Sequence, residues 1–422
     1  MLTLASGASV PWTIVLPIEP GSLVLIGQGT AEPRSLTREL VRRRHEFPGL
    51  QLLLAAVFSD AFAPTETDGI AFSSYGAIGK AGALAAAGRL DVLPVPYSSL
   101  PGLFSEQRQP DAVLISLSRS PVGLSCGLVN DYVAAAARHA RTVIAEINAQ
   151  MPWTYGSAAP LDLRIDRIVE CDQAPVELQP GPIGEPERRI GEFVAALIPD
   201  RATIQIGIGG IPDAILAALG GHRELGIHSG MIGDRVVDLI EAGVVTNAYK
   251  SFDRGVTVAN CLFGTRKLSG FAECNPAILV VPISHSHGAS NLARLAAFRA
   301  INSALEVDLS GQMNAEQVNG RYVGTVGGQP DFIRGALAAP GGRSIIALPS
   351  TANGGATSRI VAASSGPVTT PRCDADVIVT DWGIAELRGK TLRERAAAMV
   401  AIADPKFRER LERAARDVLR VS

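Results

Sequence analysis

The chain has 422 residues, which is enough for two ordinary domains. Hydrophobic residues make up 47% of the chain and charged residues 19%, a balance typical of a globular α/β protein rather than a disordered or fibrous one. The formal net charge of −2 gives no reason to expect a nucleic acid or another polyanion as a partner.

The cysteines and the start of the chain both favour a cytoplasmic protein. The five cysteines are scattered, odd in number and without metal-ligand spacing, as is usual in a reducing compartment. The apolar start lacks a basic leader and is interrupted by Pro11, Pro17 and Pro20. It therefore predicts neither a signal peptide nor a membrane span.

Apolar runs alternate with helix-like stretches through the first half of the chain. Residues 22–26 resemble a strand, a glycine turn follows, and residues 35–44 resemble a helix, which is the opening of a βαβ unit. The same pattern predicts strands over 52–58, 112–117 and 142–147, and helices over 79–89 and 131–139. This alternation predicts a mostly parallel sheet covered by helices.

Residues 173–187 interrupt the alternation. Their sequence, QAPVELQPGPIGEPE, contains four prolines and two glycines, which continue neither a helix nor a strand well. We place a domain boundary in this linker, with an N-terminal domain over 1–182 and a C-terminal domain over 183–422.

The second half resumes the α/β pattern. It predicts strands over 202–206, 277–281, 345–348 and 376–380, and helices over 188–197, 212–219, 234–242, 392–403 and 405–419. We therefore expect two α/β halves of similar plan.

Two glycine-rich turns are candidates for ligand contact. Gly207-Ile208-Gly209-Gly210 lies between a predicted strand and a predicted helix, where backbone N–H groups can cradle a phosphate. Gly327-Gly328-Gln329 can present N–H groups to an oxyanion. For both segments a plain tight turn is the alternative, and the pattern alone does not exclude it.

His285 and His287 follow a predicted strand and would share one face if that strand continued. They are candidates for metal ligands, with His228 as a third, or for general bases near neutral pH. A loop pair without chemistry is the alternative. We predict no metal, because no acidic or thiol partner accompanies the pair.

Three weaker motifs have simpler interpretations. The sequence GLSCG at 123–127 matches a nucleophile elbow around Ser125, but four residues separate it from the preceding strand, whereas an elbow turns directly off a strand end. The basic clusters 266–267 and 388–390 can meet phosphates, although short charge clusters usually form a solvated face.

Long stretches in a fixed order carry a resemblance to a known family. They are GTAEP (29–33), VIAEINAQMP (143–152), IQIGIGGIPDAIL (204–216), LGIHSGMIGDRVVDLIEAGVV (225–245), INSALEVDLSGQMNAE (301–316), VGGQPDFIRGA (326–336), GGRSIIALPSTA (341–352), VTTPRCDADVIVTDWGIAELRGKTLRERA (368–396) and IADPKF (402–407). Over nearly its whole length the chain resembles the acetyl-CoA hydrolase/4-hydroxybutyrate CoA-transferase family.

The resemblance implies two tandem CoA-transferase-like α/β domains, an active site in the cleft between them, and a homodimer. In that family a glutamate attacks the acyl-CoA thioester and receives CoA as a glutamyl-CoA intermediate, which an acceptor acid then collects. Coenzyme A arrives as part of the substrate, and no tightly bound cofactor is implied. Neither a nucleic acid nor a membrane is expected as a partner.

The chain departs from the family at two positions. Where the family has its glutamate, the sequence Gly226-Ile227-His228-Ser229-Gly230-Met231 has Gly230. A family asparagine that helps to polarise the carbonyl aligns with His287. The glycine loop at 327–329 is retained, as is the region at 388–390.

These departures predict an enzyme that acts on a CoA thioester without a glutamyl-CoA intermediate. His287, with His285 as a second candidate, would act as general base, and the N–H groups of Gly327 and Gly328 would stabilise the oxyanion. Hydrolysis, carbon–carbon cleavage and cyclisation stay open. The residues expected to contact substrate or CoA are Gly207, Gly209, Gly210, Ser229, Met231, Lys267, Gln329, Arg388 and Lys390.

Two alternatives remain at this point. One is an ordinary acyl-CoA:carboxylate CoA-transferase or acyl-CoA hydrolase that uses a displaced carboxylate. The other is an acyl-CoA binding protein without catalytic activity, which would keep the scaffold and lose the nucleophile.

Overall fold

The computed structural model describes residues 14–157 and 163–418, with side chains described to residue 416. Pro11 and the predicted last residue of the final helix, at 419, lie outside these residues. Within the described part of the chain, no helix is both long and apolar enough to cross a bilayer.

The first half builds one parallel sheet with a single antiparallel addition. In spatial order its strands are Leu90–Val92, Ala71–Ser74, Gln51–Leu54, Leu23–Ile26, Ala112–Ser120, Thr142–Asn148 and Arg167–Cys171, and Gly123–Ser125 pairs antiparallel with Ala112–Ser120. Helices Arg34–Arg42, Ala81–Ala86 and Tyr132–Ala137 connect them. The central strands are buried along most of their length, which explains their continuous apolar runs.

The second half builds another mostly parallel sheet. Its strands, in spatial order, are Gly226–Ile227, Thr203–Gln205, Phe298–Asn302, Arg343–Ala347, Val377–Thr380 and the antiparallel edge strand Gly383–Glu386. Its longer helices are Glu185–Ala195, Gly210–Ala218, Asp234–Glu241, Arg266–Ala272, Gln329–Ala338, Leu392–Ala401 and Pro405–Val418.

Smaller elements complete the chain. The paired short strands are Met231–Ile232 with Cys261–Leu262, Thr257–Ala259 with Ile278–Val280, Glu306–Asp308 with Met313–Asn314 and Ile360–Val361, Gln317–Val318 with Arg321–Tyr322, and Thr351–Ala352 with Thr357–Ser358. The short helical segments are Gly29–Ala31, Arg44–Glu46, Pro64–Glu66, Tyr97–Ser99, Leu100–Gly102, Leu103–Gln107, Leu219–Gly221, Ile283–Ser286, Ala289–Leu292 and Arg372–Asp374.

The predicted α/β class, with a mostly parallel sheet in each half, is confirmed. The strands before and after the linker at 173–187 form separate sheets, while the domain boundary itself stays a prediction. The predicted strand at 52–58 ends earlier, at Leu54, because the chain then leaves the sheet and makes only one isolated bridge, between Val57 and Gly79.

The carboxyl ends of strands from both sheets meet at one place. Gln28 and Tyr75 follow strands of the first sheet, and Gln205 and Asn302 end strands of the second. Loops at the carboxyl ends of parallel strands are where α/β proteins usually bind ligands. All four side chains line the same cavity.

Candidate active site

A cavity of about 140 Å³ lies between the two halves of the chain. Its walls combine aromatic and aliphatic side chains with a few amides and one imidazole. The lining residues are Gln28, Tyr75, Ile78, Tyr97, Gln205, Gly207, Gly230, Met231, Cys261, Phe263, His287, Asn302, Thr325, Gly327, Gly328, Gln329 and Phe332. Of the predicted site residues, it thus brings together Gly207, Gly230, Met231, His287, Gly327, Gly328 and Gln329.

The His287 ring lies close to two glycine backbones. A Cβ atom built on Gly230 would lie 2.8 Å from His287 Nε2, and one built on Gly328 would also lie 2.8 Å from it. Both separations are well inside the optimal distance of about 3.5–4.0 Å for heavy atoms. A side chain at position 230 and the imidazole at position 287 therefore exclude each other in this arrangement.

Local backbone structure places these groups. The short strand Met231–Ile232 pairs in parallel with Cys261–Leu262, and Gly230 O accepts hydrogen bonds from Cys261 N (2.9 Å) and Asn260 N (3.2 Å). The Phe332 ring packs 4.5 Å from the His287 ring, centroid to centroid, and a Cβ built on Gly230 would lie 3.2 Å from Phe332 Cε2. Both the glycine and the imidazole are thus held by buried neighbours.

The His287 ring has one hydrogen-bond partner among the described residues, the Ser286 hydroxyl, whose Oγ is 2.9 Å from Nδ1. That hydroxyl has one hydrogen, and its other acceptor, Pro282 O, is farther away at 3.3 Å. If the hydroxyl donates to Nδ1, Nε2 carries the ring hydrogen toward the cavity; if it donates to Pro282 O, Nδ1 donates to Ser286 Oγ and Nε2 keeps its lone pair. Burial lowers the pKa of His287 to about 3, so the ring is neutral near pH 7.

The glycine loop before helix Gln329–Ala338 is held by the first half of the chain. Gly327 adopts a φ of 54°, which favours glycine. Its carbonyl accepts a hydrogen bond from Tyr97 N at 2.9 Å, and Gly324 O accepts one from Ala77 N at 3.0 Å. The Thr325 hydroxyl donates to Tyr75 O at 2.7 Å. Gly328 caps the ten-residue helix, whose N-terminus favours negative charge.

Sequence reasoning missed the opposite wall of the cavity. There Gln28 Oε1 accepts from the Tyr75 hydroxyl (3.0 Å) and from Ala56 N (3.2 Å). Gln28 Nε2 donates to Tyr97 Oη (3.1 Å) and to Asp131 Oδ2 (2.6 Å). Burial raises the pKa of Asp131 to about 6. The glycine turn at 27–29, directly after a strand, was the one available signal for Gln28.

Tyr97 connects this wall to Asn260 and Cys261. Its hydroxyl donates to Asn260 Oδ1 at 3.0 Å, and Cys261 Sγ lies 3.3 Å from the same oxygen. Burial raises the pKa of the Cys261 thiol and of the Tyr97 phenol well above their ordinary ranges. These groups are therefore protonated and mutually hydrogen bonded near neutral pH.

His285 does not share a face with His287, because the strand does not continue: Pro282 precedes the helical turn Ile283–Ser286. His285 Nε2 lies 2.7 Å from Asp253 Oδ2, on the far side of this turn, and the side chain is 35% exposed. Among the residues described here, no group of three His, Cys, Asp or Glu side chains could hold a metal ion.

A buried cluster lies behind the same turn. His228 Nε2 donates to Ser286 O at 3.2 Å, and the two imidazoles of His228 and His285 stack 6.0 Å apart. Lys250 Nζ donates to Ile227 O and to Val256 O, each at 2.9 Å. Burial lowers the pKa of His228 to about 3 and that of Lys250 to about 7. His228 therefore anchors the segment that carries His287.

A second depression of about 450 Å³ adjoins the cavity through the residues they share, Gly207 and Asn302. Its lining residues are Pro182, Glu187, Gly207, Ile208, Gly210, Ile211, Pro212, Ile215, Ile301, Asn302 and Ser303. Gly210 lines it, and Gly209, with a φ of 109°, caps helix Gly210–Ala218. We call this depression the groove.

Four other predicted contact residues line neither the cavity nor the groove. Ser229 is buried, and its hydroxyl lies 2.7 Å from Ile206 O. Lys267 is exposed and bonded to Asp238. Arg388 pairs with Asp376 at 2.8 Å, and Lys390 is exposed. Their assignment to substrate or CoA stays a prediction.

Ser125 is not placed as a nucleophile. It is fully buried, its hydroxyl lies 2.6 Å from Ser157 Oγ, and it also contacts Thr154. The GLSCG segment forms a hairpin strand, Gly123–Ser125, rather than a strand-to-helix elbow.

Comparison with known proteins identifies a family and relatives of the chain. A family model described as the acetyl-CoA hydrolase/transferase C-terminal domain matches residues 264–415. The 4-hydroxybutyrate coenzyme A transferase of Clostridium kluyveri is 40% identical over 405 residues, covering 94% of each chain. Succinyl-CoA:cyclohexane-1-carboxylate CoA transferase of Geobacter metallireducens is 33% identical, covering 96% of this chain and 95% of its own.

Solved structures extend the similarity to three dimensions. RipA from Yersinia pestis superposes with a TM-score of 0.90 at 33% identity, covering 95% of each chain. The chain belongs to the acetyl-CoA hydrolase/CoA-transferase family, a family of enzymes that act on acyl-CoA.

Proposed function

We propose that this protein processes an acyl-CoA thioester without an enzyme-bound glutamyl-CoA intermediate. The observation that carries the proposal is the mutual exclusion of a side chain at position 230 and the imidazole of His287. A glutamate nucleophile cannot be accommodated there while His287 keeps its place. Among the described residues that line the cavity, none is an aspartate or a glutamate, so a displaced carboxylate has no support.

His287 contacts the reacting group through Nε2. In the tautomer we propose, Ser286 donates to Nδ1, and Nε2 carries a hydrogen that can be donated to the thioester carbonyl oxygen. The low pKa of His287 supports this polarising role, because a base with a pKa of about 3 is far weaker than the ideal at neutral pH. The general-base role predicted from the sequence needs the other tautomer. Gly328, whose backbone lies beside the ring, would contribute its N–H group to the oxyanion.

The thioester would lie where the cavity and the groove meet. In this arrangement the acyl group fills the cavity, and the pantetheine arm runs along the groove past Gly207, Gly209 and Gly210. Gly207 and Asn302, which line both spaces, support this division. Relatives named as CoA transferases and as an acetyl-CoA hydrolase supply the class of substrate. Hydrolysis, carbon–carbon cleavage and cyclisation all begin with such a polarised carbonyl.

The test is a search for the enzyme–CoA thioester. The protein is incubated with acetyl-CoA and butyryl-CoA, with and without isotopically labelled acetate, and then treated with borohydride or hydroxylamine before peptide mass analysis. We expect no trapped adduct on any glutamate and no labelled acetyl-CoA. Labelled acetyl-CoA, or a modified glutamate, would establish ordinary CoA transfer instead. Tight acyl-CoA binding without turnover of any thioester would indicate a binding protein.

The homodimer implied by the family and the cytoplasmic location predicted from the cysteine pattern stay proposals. Light scattering after size-exclusion chromatography measures the first, and a mass of one chain would contradict it.

A further inference from the structure

The Phe263 ring forms part of the cavity wall and packs against the first half of the chain. Phe263 is 5% exposed and lines the cavity. Its ring meets the Phe58 ring edge to face, with the centroids 5.5 Å apart and the planes at 86°. It also lies against Gly29, where a Cβ atom would come within 2.4 Å of Phe263 Cε1. The ring keeps this position because residue 29 has no side chain.

The backbone that carries the ring is held from both halves. Phe263 N donates to Ile232 O at 2.9 Å, and Leu262 N donates to Leu128 O at 2.8 Å. Leu262 O accepts a hydrogen bond from the Thr30 hydroxyl at 2.9 Å. Because the main chain is fixed in this way, a ligand that needs more space must displace the ring rather than its backbone.

The contact between the two rings separates two different spaces. Phe58 lines a depression of about 960 Å³, which we call the basin, together with charged side chains that include Arg34, Arg38, Arg42 and Arg44. Phe263 lines the cavity, whose described lining has no charged side chain. Burial of apolar surface therefore favours each added methylene group of a ligand as far as the Phe263 ring and not beyond it.

The ring also lies where the far end of an acyl chain would be. The cavity and the groove share Gly207 and Asn302, both in the second half of the chain. The Phe263 ring packs against Gly29 and Phe58, which belong to the first half. A chain that enters from the groove and extends toward the first half therefore ends at this ring.

We propose that Phe263 determines the length of the acyl group that this protein accepts, with Gly29 and Phe58 holding the ring in place. The cavity, at about 140 Å³, is small beside the roughly 300–1,000 Å³ of most small-molecule sites, so the ring limits the protein to short acyl groups. This inference rests on the proposed function, because it places the acyl group in the cavity.

The experiment measures affinity as a function of acyl length. The ligands are uncleavable S-(2-oxoalkyl)-CoA thioethers that correspond to acetyl-, butyryl-, hexanoyl- and octanoyl-CoA, with free CoA as the reference. Isothermal titration calorimetry gives a dissociation constant for each, so the result does not depend on turnover. In the natural chain, we expect affinity to rise with acyl length up to a limit and then to fall, by about tenfold or more for each methylene group that has no room.

Three variants should move that limit in opposite directions. Phe263→Leu keeps most of the apolar packing and is the principal variant, and Phe263→Ala extends the series. Both should move the limit to longer chains, the alanine variant further. Gly29→Ala should push the ring into the cavity and move the limit to shorter chains. Its thermal melt is followed as well, because residue 29 has a φ of 62° that strains an alanine.

Phe47→Leu is the matched control. Phe47 is also 5% exposed but belongs to a different buried cluster, so its loss should lower the melting temperature without moving the limit. An unchanged limit in both Phe263 variants would overturn the inference and leave the proposed function standing. Affinity that still rises at the octanoyl analogue in the natural chain would do the same.

Two further outcomes separate the inference from the proposed function. A trapped glutamyl-CoA adduct, together with a limit that moves in the Phe263 variants, would overturn the proposed function and support the inference. Affinities equal to that of free CoA for every analogue would overturn both, because no acyl group would then occupy the cavity.

Discussion

The two faces of the turn Ile283–Ser286 differ sharply, although they carry histidines only two residues apart. On the cavity face, His287 is 3% exposed, has a pKa lowered to about 3 and leaves Nε2 without a partner among the described residues. On the far face, His285 is partly exposed and bound to Asp253 at 2.7 Å. The closeness of the two histidines in sequence therefore did not reveal that their environments differ. His287 faces the cavity, whereas His285 holds the turn through Asp253.

Replacing His287 should have the largest effect. We expect His287→Ala to reduce kcat about 100- to 10,000-fold, the usual range for a hydrogen-bonding catalytic group. His287→Asn separates the two roles, since an amide donates a hydrogen bond but does not accept a proton as a base. Activity of the Asn variant well above that of the Ala variant, in steady-state assays of CoA release, supports polarisation. Equal losses in both would favour the general-base role.

Acid should destabilise the protein through the two buried histidines. The folded-state pKa values of His228 and His287 are about 3, below the ordinary value, so the unfolded chain binds more protons as pH falls below about 6.5. The free energy of unfolding that depends on these two neutral histidines is fully present at neutral pH, and it declines as pH falls from about 6.5 toward 3. The slope is about 1.4 kcal/mol per pH unit for each histidine. Urea unfolding between pH 6.5 and 5 measures it.

The matched variant for that measurement is His287→Gln, which cannot titrate. It should show a shallower slope than the natural chain over the same pH range. An unchanged slope would mean that His287 does not stay neutral in the folded state.

Introducing the family glutamate at position 230 should destabilise the protein on its own. The destabilisation should be smaller when His287 is replaced as well. Gly230→Glu places a Cβ atom 2.8 Å from His287 Nε2, and overpacking of this kind costs about 1–3 kcal/mol. His287→Asn removes part of that clash, so the double variant should recover stability in thermal melts. Trapping an enzyme–CoA thioester in the double variant, but not in Gly230→Glu, would show that the two positions exchange together. A single variant as stable as the natural chain would contradict the exclusion.

Substitutions on the far face of the turn should have the smallest effects on stability and kcat. His285→Gln and Asp253→Asn each weaken one partly exposed contact, which we expect to cost less than about 1 kcal/mol and to change kcat less than about threefold. Parallel melts and rate assays measure both. A loss comparable with that of His287→Ala would place His285 in the reaction and remove the difference between the two faces.

The fold was predictable because its strands are buried, continuous apolar runs, such as residues 112–117, separated by glycine turns and helices. Lining residues of the cavity could be predicted where their signal is local in sequence, as at Gly230, His287 and Gly328, while their catalytic roles stay predictions. Gln28, Tyr97 and Cys261 escaped because their role depends on contacts between segments far apart in the chain. The prediction that His285 and His287 would share one face of a continued strand was wrong, because Pro282 ends the extended stretch.

The loop that presents Gly328 is fastened by residues of the other half of the chain: Tyr97 N holds Gly327 O, Ala77 N holds Gly324 O, and Thr325 reaches Tyr75 O. Gly76 has no space for a side chain, since a Cβ there would lie 2.3 Å from Thr325 Cβ. Residues of the first half of the chain therefore hold the glycine loop of the second half in place. A chimera that exchanges the first half with a relative would need to carry a compatible surface at residues 75–77 and 96–97, or its glycine loop would lose its support.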